Sequence, residues 1–214
     1  MKIILNNIRK DFDNNVILKD INLELESGKI YGFVGRNGSG KSVLLKMMCG
    51  FYKPTSGEIV IDGINIVKDN SFLPDTRVLI EKPTFLPDQS GFENLKLLAA
   101  IQGKINSEKI NEVLDSVNLS KEDRHKKFHK YSLGMKQKLG IAQVLMEEPK
   151  IMIFDEPFNG IEEDTVKKLR NILIEEKNKD KIIIIATHIK EDINSLVDIL
   201  YKFDNNTVEL QNIS

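Results

Sequence analysis

At 214 residues the chain is long enough for one well-buried core with a smaller subdomain attached, and too short for two independent units of that size. Its 41% hydrophobic and 29% charged residues, with a formal net charge of -1, are an ordinary globular balance that excludes a disordered or membrane-embedded chain; the positive residues are spread out rather than massed, which argues against nucleic acid as the main partner. A lone cysteine, Cys49, excludes an internal disulfide, and the opening MKIILNNIRK reads as a polar-interrupted strand rather than a secretory leader, so a reducing cytoplasm is the expected compartment.

Residues 2–8 and 20–26 alternate apolar and polar side chains, and 30–34 and 59–61 are also strand-like, so the first third reads as β-rich. A glycine-rich turn and a helix over 42–49 interrupt it; that helix stops at Gly50, with Pro54 shortly beyond. From Gly91 to about Lys130 the periodicity becomes helical, with Leu95, Leu98, Ile101, Ile110, Val113, Leu114 and Val117 spaced by threes and fours. A helix over about 135–146, a strand over 151–154, a charged helix over about 163–177 and a strand over 182–186 follow. Strands alternating with helices predict a parallel, covered sheet. The apolar runs fall far short of the roughly 20 residues of a membrane span, so membrane association is expected only through a partner. No large further domain is expected after the last strands.

Gly35-Arg36-Asn37-Gly38-Ser39-Gly40-Lys41-Ser42 matches the P-loop pattern G-x-x-x-x-G-K-[ST] in full, with an apolar strand before it and a helix after it. Its glycines let backbone N–H groups converge on phosphate oxygens, and the helix N-terminus adds the positive end of its dipole. Lys41 is expected to bridge the β- and γ-phosphates of a nucleotide, and the Ser42 hydroxyl to ligate magnesium. Downstream, the apolar run 151–154 gives way to Asp155 and Glu156. Taken alone, two carboxylates at a strand end are a common acidic turn. With a P-loop upstream, Asp155 is expected to hold the metal through water, and Glu156 to polarise the attacking water as general base.

Phosphate binding of this kind fits kinases, GTPases and motor ATPases alike. Lys130-Tyr131-Ser132-Leu133-Gly134-Met135-Lys136-Gln137-Lys138 resembles the Leu-Ser-Gly-Gly-Gln signature of ABC ATPases with its basic tail. Asp155 follows at that family's spacing, His188 falls where its switch histidine lies, and Pro54-Thr55-Ser56-Gly57-Glu58 follows the P-loop helix as it does there. On their own, Phe12 reads as a core aromatic and His188 as a structural histidine. The resemblance instead implies that Phe12 stacks on adenine and that Ser132 and Gly134 face the γ-phosphate held by a second subunit, while Lys41, Ser42, Asp155, Glu156 and His188 act in cis.

The fold so implied is α/β: a P-loop NTPase core with a mostly parallel sheet, an N-terminal antiparallel β subdomain and an inserted helical subdomain. One ABC ATPase domain over 1–214 is expected, with the core and β subdomain at about 1–80 and 131–214 and the helical part at about 84–130. The resemblance further implies ATP and Mg2+ as cofactors, a homodimer or pseudo-dimer, a separate transmembrane permease, no nucleic acid, and a cytoplasmic place on the inner face of the membrane. Four positions depart from the family pattern. Leu133 and Met135 replace a glycine and the glutamine of the signature, Glu162 replaces the aspartate of the dimer loop 159–162, and Glu81 replaces the glutamine that links the metal site to the permease. A carboxylate at 81 can ligate magnesium but adds negative charge beside the phosphates. Glu81-Lys82-Pro83 and the Tyr-Ser-Leu-Gly-Met-Lys-Gln run resemble the branch of bacitracin- and lantibiotic-type exporters. Phe85, Leu86 and Phe92 are expected either to receive the permease or to fill the helical subdomain. Two other readings stay open, a non-transport ABC ATPase and a weakly hydrolysing regulatory subunit.

Overall fold

The structure is a computed structural model and describes residues 1–13, 15–69 and 71–212. Two sheets organise it. The first is antiparallel, in the order β2-β1-β4-β5, from β1 (Lys2–Phe12), β2 (Asn15–Glu26), β4 (Ser56–Ile61) and β5 (Ile64–Asn65). The second has the order β10-β9-β3-β8-β7-β6, from β3 (Lys29–Gly35), β6 (Thr76–Leu79), β7 (Ile151–Asp155), β8 (Ile182–Ala186), β9 (Ile199–Asp204) and β10 (Thr207–Gln211). Every neighbouring pair in it is parallel except β9 with β10, so the expected mostly parallel sheet and the antiparallel β layer are both present.

The central strands feed two cores at once, which is why they read as unbroken apolar runs. Along β7, Met152 and Phe154 point to a cluster with the helices, while Ile151 and Ile153 join a second cluster shared with the antiparallel sheet. β8 divides the same way, Ile183 and Ile185 against Ile182, Ile184 and Ala186. The second cluster also takes Leu44, Leu45, Met47 and Met48 of α1 (Lys41–Met48), so the P-loop helix is clamped between the two sheets.

The first cluster carries α2 (Gly91–Gln102), α3 (Ser107–Ser116), α4 (Leu133–Leu145) and α5 (Glu163–Lys177), with α6 (Lys190–Leu196) beside α5. Ser90 and Glu93 cap α2 reciprocally, each side chain accepting from the other residue's backbone N–H. Helix α4 starts at Leu133 rather than near 135, because the Ser132 hydroxyl caps it by accepting from Met135 N. Among the described residues no helix is long and apolar enough to cross a membrane.

Candidate functional site

Parallel strands bring their C-terminal ends to one edge of a sheet, where open α/β folds bind ligands. Here β3 ends at Gly35 and runs into the P-loop, β7 ends at Asp155 with Glu156 next, β8 leads into Thr187 and His188, and β6 leads into Glu81. Four segments distant in sequence therefore meet along one edge. A cavity of about 820 Å³ opens there, lined by Phe12, residues 37–43, Glu81, Leu133, Asp155 and Glu156, among others.

The P-loop is shaped for close backbone approach. Gly40, the N-cap of α1, sits at φ 99°, a conformation that strains any residue with a side chain, and a β-carbon there would come within 2.7 Å of Leu18 Cδ2, which would have to shift. Arg36, Asn37 and Gly38 form the exposed apex. Lys41 is buried, and its ammonium donates back across the loop to the carbonyls of Gly35 (2.7 Å) and Arg36 (3.1 Å). Burial lowers its pKa from the ordinary lysine value, with the carboxylates of Glu156 and Asp155 opposing that shift. Ser42 Oγ donates to Asp155 Oδ2 at 2.6 Å, joining the start of α1 to the end of β7.

Glu156 is held from three sides. Its N–H donates to the Ala186 carbonyl at 2.8 Å, Gln137 Nε2 donates to its carbonyl at 3.0 Å, and its Oε1 lies 2.7 Å from His188 Nδ1. These contacts support a left-handed backbone, φ 49°, that costs a side-chain-bearing residue of order 1–3 kcal/mol. Among the described residues, three buried polar atoms here have no hydrogen-bond partner: Ser39 Oγ, Gln137 Oε1 and Glu156 Oε2. They suit a cavity built to receive a polar ligand.

His188 is therefore placed on Glu156, and its own segment is anchored behind it. Thr187 Oγ1 donates to Asp192 Oδ2 at 3.2 Å, and the fully buried Asp192 accepts from Arg170 of α5 at 2.6 and 3.0 Å.

Phe12 ends β1, lines the cavity and is 38% exposed, so it is not a core aromatic. Its ring meets Tyr52 edge-on at 5.4 Å, and Lys10 Nζ sits 4.7 Å over its face. Glu81, in a left-handed conformation at φ 63°, turns its carboxylate onto Lys46 of α1.

Leu133 and Gly134 pack on the loop 159–162 of their own chain. Gly134 lies directly under the Gly160 carbonyl, and the Leu133 side chain is 55% exposed and leans over Gly160. Glu162 pairs with Lys138 of α4 at 2.8 Å, and that bond draws its carboxyl below the usual range. Of the three residues considered for docking, Phe85 and Phe92 pack onto the core, Phe85 edge-on to Phe128 at 5.2 Å, and Leu86 stays 54% exposed.

The sequence reading did not single out Lys46, Tyr52 or Gln137. Lys46 carried a usable signal, since it stands one helical turn after Ser42 and so shares its face. Gln137 had none of this kind, since its burial within α4 shows only in the structure.

Known proteins agree with this geometry. The ABC transporter family matches residues 18–159. The chain is 42% identical to the ABC transporter ATP-binding protein YybJ of Bacillus subtilis (strain 168) over 95% of its own length and 93% of that protein's. It is 37% identical to the bacitracin transport ATP-binding protein BcrA of Enterococcus faecalis, over 97% of this chain and 68% of that one. The fold superposes on the dimeric, ADP- and Pi-bound ATP-binding cassette MJ0796 with a TM-score of 0.87 at 21% identity, covering 99% of both chains. With a P-loop, a strand-end acid pair and a signature helix around one cavity, and with these relatives, the chain belongs to the ABC transporter family as one of its ATP-binding subunits.

Proposed function

We propose that this chain is the ATP-hydrolysing subunit of an exporter-type ABC transporter, closing as a homodimer or pseudo-dimer on two ATP molecules beneath a separate transmembrane permease. It would sit in the cytoplasm, held to the inner face of the membrane through that permease, with residues 1–214 acting as one ATPase domain. The observation that carries this reading is the convergence of the P-loop, the Ser42–Asp155 pair and the Glu156–His188 pair at the C-terminal edge of one parallel sheet.

In this reading residues 35–42 cradle the phosphates through backbone N–H groups, and Lys41 swings from the Gly35 and Arg36 carbonyls to the β- and γ-phosphates. Phe12 stacks on the base. Ser42 and Asp155 offer hard oxygens 2.6 Å apart, which suit magnesium, and Glu81 can add a third. The ion would supply charge neutralisation between the phosphates. Glu156 aligns and deprotonates the attacking water, oriented by His188 and by its own strained backbone. Ser132 and Gly134 present a helix N-terminus to the nucleotide of the second subunit. Loss of the γ-phosphate then reopens the pair. The likeness to a bacitracin transport protein and the Glu81-Lys82-Pro83 run support an exporter of that branch.

The test is steady-state ATPase activity of the wild type and of Glu156→Gln, with sizing chromatography in ATP. Glu156→Gln is expected to lose about 10²- to 10⁴-fold in kcat, the contribution of a general base, and to accumulate as a dimer. A Glu156→Gln chain that hydrolyses ATP at the wild-type rate would overturn the assignment.

A further inference from the structure

Glu81 brings an additional carboxylate to a cavity that already holds Asp155 and Glu156 and is built to take a polyphosphate. Like charges gathered in one cavity repel one another and repel an anionic ligand. The structure shows how this is relieved. Lys46 lies one turn after Ser42 on α1, so the helix that presents the Ser42 hydroxyl to Asp155 also presents an ammonium on the same side. That ammonium takes the Glu81 carboxylate.

The pair is asymmetric. The Lys46 side chain is 23% exposed, its Nζ lying 5.7 Å from the centre of the Tyr52 ring, whereas the Glu81 side chain is 64% exposed. Lys46 is therefore the fixed member and Glu81 the one free to leave. The same Tyr52 ring meets Phe12 edge-on, so the contacts from Phe12 to Glu81 run through Tyr52 and Lys46.

We propose that Lys46 is the positioning residue of Glu81: it neutralises and holds the carboxylate at the α1 side of the cavity, and Glu81 engages metal-bound nucleotide only by exchanging Lys46 for it. The proposal rests on the nucleotide and magnesium site described above. It assigns to the Lys46–Glu81 exchange how strongly nucleotide affinity depends on Mg2+.

Two consequences separate this from a general effect of positive charge near phosphate. With Lys46 removed, Glu81 is released and uncompensated. It repels free nucleotide and is available to the metal without competition, so the ratio of affinities with and without Mg2+ rises. With Glu81 already neutral, removing Lys46 leaves that ratio where it was.

The experiment measures affinity of the full chain for a fluorescent ATP analogue, with Mg2+ and with EDTA, in the wild type, Lys46→Met, Glu81→Gln, the double variant and Lys46→Arg. Thermal melts without nucleotide accompany each variant. The expected result is a rise of about fivefold in the ratio for Lys46→Met, the scale of a partly exposed ion pair. The ratio should stay at the wild-type value in Lys46→Arg, and should be equal in Glu81→Gln and the double variant. A shift by the same factor in both backgrounds, or no shift in Lys46→Met, would overturn the exchange while leaving the site intact. A wild-type chain whose affinity ignores Mg2+, with Ser42→Ala behaving identically, would overturn the metal site itself and the exchange with it. If Lys46→Met fails to fold, the comparison of Lys46→Arg with Lys46→Gln decides in the same way.

Discussion

Gln137 Nε2 donates to the main-chain carbonyl of Glu156 at 3.0 Å, and so ties the signature helix α4 to the residue proposed as general base. The bond supports a left-handed backbone at Glu156, where small displacements redirect the carboxylate. Misplacing a catalytic group by about 1 Å costs on the order of 100-fold in rate. Gln137→Met, which keeps the side-chain length and loses the donor, is expected to lower kcat by about 10- to 100-fold while nucleotide affinity changes little. Single-turnover hydrolysis beside equilibrium nucleotide binding checks this; a loss confined to binding would contradict it.

Phe12 lends itself to a direct optical test, because the chain contains no tryptophan. Phe12→Trp introduces the chain's one indole at the cavity wall, and excitation at the red edge of its absorption separates it from the four tyrosines. Added ATP is expected to change its fluorescence saturably. Phe12→Ala is expected to weaken binding by about 1–3 kcal/mol, the range for base–aromatic stacking. If the indole does not respond to saturating ATP, the base lies elsewhere.

Arg170 and Asp192 form a buried ion pair behind His188, with side chains 7% and 1% exposed. Removing one partner of such a pair strands the other, at a cost of about 3–5 kcal/mol, whereas replacing both by apolar residues can be close to neutral. Arg170→Met should therefore melt well below the wild type, and Arg170→Met with Asp192→Leu should recover most of the loss. Asp192 also accepts from Thr187, the neighbour of His188. The double variant is accordingly expected to stay folded yet hydrolyse ATP more slowly than the wild type, as read by melting curves and kcat together.

What could be read from the sequence follows from how local each signal is. The P-loop, the β7 acid pair, the helix Glu163–Lys177 and the strand Ile182–Ala186 are encoded within short windows by spacing or by an unbroken apolar run, and the structure has them there. The strand Thr76–Leu79 has only four residues, two of them polar, and exists because β7 pairs with it from far along the chain. The short helix Lys190–Leu196 likewise depends on Arg170 reaching across from α5. At the site the same rule holds. Residues 35–42 are contiguous and legible, whereas Lys46 with Glu81 and Gln137 with Glu156 are pairings between separate elements that no local pattern encodes.

Burial pushes the Cys49 thiol up to about 12 from an ordinary value of 9.0. The folded chain keeps this proton between those values while the unfolded chain releases it, so the unfolded state binds fewer protons there. Stability due to this group is present below about pH 9 and declines as pH rises toward about 12. In Cys49→Ala the fall in urea midpoint between pH 8.5 and roughly pH 10.5 should be shallower than in the wild type. The native thiol should also react with a disulfide reagent at pH 8 only after denaturant is added.

In the proposed dimer, Gly134 acts on the second subunit's nucleotide rather than on that of its own chain. A β-carbon at this position would strike the Gly160 carbonyl, so Gly134→Ala must push the start of α4 away from the loop 159–162. Overpacking of this kind costs about 1–3 kcal/mol, and here it falls on the helix N-terminus proposed to meet the second subunit's γ-phosphate. The lining of the cavity at residues 37–43, Asp155 and Glu156 is left in place. Introduced into Glu156→Gln, Gly134→Ala is expected to leave ATP affinity of the isolated chain within about twofold and to abolish the ATP-dependent dimer on sizing chromatography. If the dimer forms undiminished, Gly134 serves packing within one chain and the trans contact must be sought at another residue.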